Sequence, residues 1–128
     1  MAPRARPLSP HLEIYRFTLT MAMSIVHRIT GVANYVGTLL LVAWLGAAAL
    51  GGEFYDGLNA FLGSWIGQIV LFGYTWSLFH HMLGGVKHFI WDRGAMLDPG
   101  GRETIVRLQV LGGVVLTLGA WALFVWMR

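Results

Sequence analysis

Histidine is the one strong transition-metal ligand in this chain's apolar stretches, because the 128 residues contain no cysteine. The segment from 74 to 92 reads Tyr-Thr-Trp-Ser-Leu-Phe-His-His-Met-Leu-Gly-Gly-Val-Lys-His-Phe-Ile-Trp-Asp. On a helix of 3.6 residues per turn, Tyr74, Ser77, His81, Gly85 and His88 share one stripe. Most of the remaining circumference is Leu, Phe, Val, Met and Trp. An ionisable side chain at membrane depth costs about 2.5 kcal/mol or more and faces a partner, a cavity or a cofactor. His81 is therefore read as an iron ligand. A second polar stripe, Ser24, His27, Arg28, Gly31, Tyr35 and Thr38, opens the preceding apolar stretch.

A b-type haem held between helices needs an imidazole on its iron, small residues beside the ring, and cationic or donor groups near its propionates. His81 supplies the first, Gly84 and Gly85 the second, and His27 or Arg28 the third. Two other readings stand beside it: His80 and His81 as hydrogen-bonded packing residues, or a path for protons or a metal ion. A quinone head group needs donors to its carbonyl oxygens and a cation for the charge that develops on reduction. Ser24 and Arg28, four residues apart, present a hydroxyl and a guanidinium side by side. The alternative is that Arg28 is a topology anchor and Ser24 bonds its own backbone. No Ser-His-Asp set, phosphate-binding loop or pair of intramembrane carboxylates is found, so no catalytic residue is assigned and no catalysis is expected from this chain alone.

Composition sets the solvent. With 56% hydrophobic and 12% charged residues, against about 25% charged in soluble proteins, most of the chain belongs in lipid. A net charge of +3 does not imply nucleic acid, since the basic residues sit at the ends of apolar runs and form no stripe with interleaved aromatics. The expected architecture is all-α, one membrane domain over residues 1–128, with three transmembrane helices at about 24–50, 62–88 and 107–127. Residues 1–16, with three prolines and three arginines, form an aqueous arm.

Glu53 and Asp56 mark the first connection, followed by an interfacial lead-in at Leu58 to Ser64. Lys87, Asp92, Arg93, Asp98, Arg102, Glu103 and Arg107 define an aqueous second loop with its turn at Asp98-Pro99-Gly100-Gly101. Lys and Arg gather in the arm and the second loop, which places the N-terminus in the cytoplasm and the C-terminus in the periplasm. Glu13, the prolines and the paucity of serine speak for a bacterial inner-membrane, multi-pass protein over an organelle transit peptide.

Two motifs carry a family resemblance. Arg6-Pro7 is followed by Ser24-Ile25-Val26-His27-Arg28-Ile29-Thr30-Gly31, and His81-Met82-Leu83-Gly84-Gly85-Val86-Lys87-His88 is followed by Asp92. Both resemble signatures of the large cytochrome b556 membrane-anchor subunits of succinate dehydrogenase, respiratory complex II; Lys87 stands where that family usually has Arg. The resemblance implies that His81, not His80, ligates one face of haem b, with a histidine of a small second anchor subunit on the other. It implies that Ser24 and Arg28 line a ubiquinone site and that His27 and Arg28 lie near the haem propionates. It implies partnership with a flavoprotein subunit and an iron-sulfur subunit, in an enzyme that passes electrons from succinate to ubiquinone. The alternative is a non-redox membrane anchor or assembly subunit that binds no cofactor.

Overall fold

The computed structural model describes residues 14–127, so the arm up to residue 13, with Arg6-Pro7, lies outside the described residues. Four helices lie wholly within them: α1 (Leu19–Leu50), α2 (Glu53–Gly63), α3 (Trp65–Asp92) and α4 (Pro99–Trp126). No strand occurs among the described residues.

Each boundary has a local cause. Thr18 is extended and its hydroxyl accepts from the Met21 N–H at 3.4 Å, which starts α1. Gly51 and Gly52, at φ 70° and 87°, then turn the chain directly into α2. Glu53 and Asp56 are therefore not a connection: they occupy the first turn of α2, where carboxylates favour the positive end of the helix dipole. Ser64 donates to the Phe61 carbonyl at 2.6 Å and accepts from the Gly67 N–H at 3.2 Å, closing α2 and capping α3. Asp98 caps α4 through the Gly101 N–H at 2.9 Å, with Pro99 at the first helical position. A Cβ at Gly101 would stand 2.7 Å from Asp98 Oδ1, so the cap requires glycine there.

The second connection is shorter than its charges suggest. Only residues 93–98 separate α3 from α4. Lys87, expected in water, is 2% exposed on α3, its ammonium 4.7 Å from the centre of the Trp91 ring. Arg102, Glu103 and Arg107 lie on α4, with Arg107 and Glu103 paired at 2.9 Å on the surface.

The interior is inverted relative to a water-soluble protein. Among the described residues the buried apolar side chains are Ala47, Ile105 and Val106, while Thr30, Ser77, His80, Lys87, Gln109 and Thr117 are buried polar ones. Leucines, valines, isoleucines and phenylalanines cover the outside. Polar side chains inside and apolar ones outside are what lipid as solvent requires, because hydrocarbon cannot satisfy a hydrogen-bonding group. Leu19–Leu50 and Pro99–Trp126 are long and apolar enough to cross a membrane.

Helix contact follows the small residues. The Tyr74 ring lies against Gly37, and Leu83 and His80 of α3 lie over Gly112 and Gly113 of α4. Trp44 donates to Asn59 at 3.0 Å, tying α2 to α1, and Trp121 donates to Thr75 at 3.3 Å, tying α4 to α3.

Candidate functional site

The seam between α1 and α3 collects the polar chemistry. His81 Nδ1 lies 3.1 Å from the His27 backbone oxygen and 3.3 Å from Thr30 Oγ1. A carbonyl oxygen only accepts, so Nδ1 carries the proton and donates, which leaves the Nε2 lone pair available. The Thr30 hydroxyl donates to the same carbonyl at 2.9 Å. The His27 ring stacks on His81 with centroids 4.0 Å apart and planes at 7°. One turn along the same face of α1, a Cβ at Gly31 would come within 3.1 Å of His81 Cε1, so glycine permits the imidazole to lie close to α1. One turn away the Ser77 hydroxyl stands 2.7 Å from Asn34 Oδ1 and 3.1 Å from the Thr30 carbonyl, crossing the seam.

The two adjacent histidines part company here. His81 faces α1, whereas His80 is fully buried toward α4, its Nε2 accepting from the Gln109 amide at 3.0 Å and its ring stacked on Trp76 at 5.0 Å. The packing reading describes His80. His88 reaches the seam from one side, its ring 5.5 Å from that of His27.

The glycines also divide. Gly85 opens onto free space, as a ring-shaped ligand would need, but Gly84 does not: His27 and Gln109 fill the volume its side chain would take. Spacing alone does not tell the two apart, because they differ only in which neighbouring helix each one faces.

The polar stripe on α1 is split. His27 enters the seam, while Ser24 and Arg28 sit on its exposed shoulder, and among the described residues Arg28 has no carboxylate partner. Tyr35 is 70% exposed, and Thr38 bonds the Asn34 carbonyl of its own helix at 2.8 Å. Thr30 and Asn34 complete the seam; the sequence reading has Thr30 only as a motif position without a role, and does not include Asn34. Positions 27, 30, 34 and 37 recur at helical spacing as regularly as the stripe of Ser24, His27, Arg28 and Gly31, and that periodicity is the signal for them.

An imidazole held through Nδ1–H by a backbone carbonyl, with Nε2 presented, is the form that ligates iron. The seam's donor set therefore fits a haem on the side of Gly31 and Gly85. No group of three His, Asp or Glu side chains converges on a cation site among the described residues. A groove of about 850 Å³ between α1, α2 and α3 is lined by residues that include Leu40, Trp44, Phe54, Leu58 and Tyr74, with no histidine or arginine among them. Its chemistry is that of a contact for hydrocarbon.

A family model described as succinate dehydrogenase/fumarate reductase transmembrane subunit matches residues 2–120, a stretch that holds both motifs. The chain belongs to this family. Among the relatives of this transmembrane subunit is the succinate dehydrogenase cytochrome b556 subunit of Paracoccus denitrificans, 37% identical over 113 residues, covering 88% of this chain and 87% of that protein. The corresponding Rickettsia felis subunit is 34% identical over 116 residues, covering 91% and 90%. The mitochondrial cytochrome b560 subunit of Sus scrofa is 41% identical over 117 residues, covering 88% of this chain and 64% of its own longer one.

Proposed function

We propose that this transmembrane subunit is the large membrane anchor of a succinate:ubiquinone oxidoreductase, holding haem b together with a small second anchor subunit and forming part of the site where ubiquinone is reduced. The observation that carries the reading is the His81 imidazole, fixed through Nδ1 on the His27 carbonyl at 3.1 Å with Nε2 left as a ligand. Family membership supports the enzyme, and the geometry around His81 supports the choice of residue.

In this reading the chain is one three-span domain. α3 is the third crossing, alongside α1 and α4: its 28 residues extend about 42 Å, against a hydrocarbon core of about 30 Å. Its charged residues, Lys87 and Asp92, stand in its final turns. The charge asymmetry sets the N-terminus and the loop at 93–98 in the cytoplasm and the C-terminus in the periplasm of a bacterial inner membrane. The catalytic subunits, a flavoprotein and an iron-sulfur protein, bind on the cytoplasmic side.

When bound, the haem offers a one-electron carrier between the anchors. This chain's residues would hold it: His81 would supply an imidazole nitrogen to the iron, and His27 and Arg28 would give donors for the propionates. Ser24 and Arg28 orient ubiquinone by hydrogen bonds to a carbonyl oxygen, and the guanidinium stabilises negative charge arising there. Succinate oxidation releases two electrons and two protons; ubiquinone takes up two of each to become ubiquinol.

The test is purification of the chain with its partners and a reduced-minus-oxidised optical spectrum. A b-type band at one haem per flavin supports the proposal. A complete complex without such a band would leave the chain as a non-redox anchor.

A further inference from the structure

Resting on the haem reading of His81, a further inference concerns Thr30, a position of the Ser24 to Gly31 motif that the proposed function leaves without a role. Thr30 lies within α1 and is 2% exposed. A buried hydroxyl needs a partner, and a helical threonine finds one on a carbonyl three or four residues back. Here it is the His27 carbonyl, at 2.9 Å, so α1 itself fixes where Oγ1 stands. With the Thr30 proton engaged in that bond, its oxygen can only accept from His81. His81 Nδ1 lies 3.1 Å from the His27 carbonyl and 3.3 Å from Thr30 Oγ1. The single Nδ1 hydrogen is therefore shared between two acceptors that are themselves joined by a hydrogen bond.

Two acceptors constrain the ring differently from one. A lone carbonyl sets a distance and leaves the ring free to swing about it, and the stacked His27 ring, 7° from parallel, restrains only the face. A second acceptor on the same N–H fixes its direction as well. Nε2 lies across the ring from Nδ1, so a swing at Nδ1 redirects the lone pair that Nε2 offers to the iron. The backbone of Thr30 is tied to the same helix: its carbonyl accepts from the Ser77 hydroxyl at 3.1 Å, one turn before His81 on α3.

We propose that Thr30 is a positioning residue for the haem-ligating imidazole, its hydroxyl acting as the second acceptor that holds the His81 ring at one angle. Valine at this position keeps the branched shape and loses the hold. Serine keeps the hydroxyl and loses only a methyl group.

The experiment uses the purified complex with flavin and haem quantified. Thr30→Val is expected to keep the haem-to-flavin ratio while shifting and broadening the principal g value of the ferric haem, because the imidazole then settles over a range of angles. Thr30→Ser is expected to return the wild-type line. Thr117→Val makes the same change at a buried threonine of α4, whose hydroxyl bonds the Gly113 carbonyl of its own helix at 2.7 Å, and is expected to leave the line in place. Should Thr30→Val fail to assemble, Thr30→Ala also removes the hydroxyl and carries the same expectation. A wild-type line in Thr30→Val or Thr30→Ala overturns the inference, as does an equal shift in Thr30→Ser or in Thr117→Val. Absence of any b-type spectrum from the wild-type complex would instead remove the haem reading on which it rests.

Discussion

The imidazoles of His27 and His81 lie parallel, 4.0 Å apart, and the backbone oxygen of His27 also accepts from His81 Nδ1 at 3.1 Å. One residue of α1 thus controls both the face and the edge of the ring that α3 presents. The tilt and the tautomer of His81 are set by the same contact.

His81→Ala should abolish or strongly perturb the haem spectrum, because it removes the imidazole whose Nδ1 is held on the His27 carbonyl with Nε2 left as a ligand. His80→Ala should keep the spectrum and lose stability, since it leaves the Gln109 amide without its main acceptor. Absorbance of the reduced complex, normalised to flavin, distinguishes them. Equal haem loss in both variants would refute the assignment.

Arg28→Lys and Ser24→Ala should each slow succinate-driven ubiquinone reduction, while transfer from succinate to a dye accepting upstream persists. Losing one preorganised donor to a developing oxyanion costs about 3 kcal/mol, or about a hundredfold in rate. Lysine is a poor replacement because it offers a hydrated point charge where arginine offers a fixed fork of donors. Normal quinone reductase activity of Arg28→Lys in an assembled complex would reduce Arg28 to a topology anchor.

Ser77→Ala removes the hydroxyl that bridges Asn34 and the Thr30 carbonyl. Interhelical hydrogen bonds in membranes contribute about 0.6 kcal/mol on average and about 1.7 at most. A drop of that size in the thermal stability of the detergent-solubilised complex is expected. A loss well above it would mean that Ser77 touches more than the seam.

Gly37→Ala drives a methyl group into the Tyr74 ring. Overpacking of this kind costs about 1–3 kcal/mol. Combining it with Tyr74→Leu should recover part of the loss, and strict additivity in the double variant would contradict the packing described.

A cysteine at Asp56 should react with a membrane-impermeant maleimide in intact cells, and one at Leu97, 52% exposed, only after permeabilisation. The reverse pattern would invert the proposed orientation.

Much of this was legible in sequence because lipid simplifies the rules. The uncharged run from 29 to 52 marked the first long helix, although Thr18 starts it at Leu19, five residues before the span expected from about 24. The stripe containing Ser77 and His81 was readable because a helix has a fixed period. What lay beyond reach was the identity of each stripe's partner. Lys87 reads as an aqueous charge by type, yet its position on the α3 face shared with His80 and Gly84 buries it. Gln109 looks like an isolated polar residue in an apolar helix until His80 is seen opposite it. Thr30 and Asn34 carried the right spacing and no charge to draw notice.

The two-glycine turn between α1 and α2 bears on how the chain enters the membrane. In the proposed orientation the segment carried across is short, and its charges are the carboxylates of Glu53 and Asp56, with no lysine or arginine. A respiring bacterium holds its outer side positive. The membrane potential therefore draws each negative charge outward by about 2.3 kcal/mol per 100 mV. Because Gly51 and Gly52 turn the chain directly into α2, with no further loop before it, α1 and α3 can cross together as a hairpin. The energised membrane into which the finished complex feeds electrons would thus assist the insertion of its own anchor.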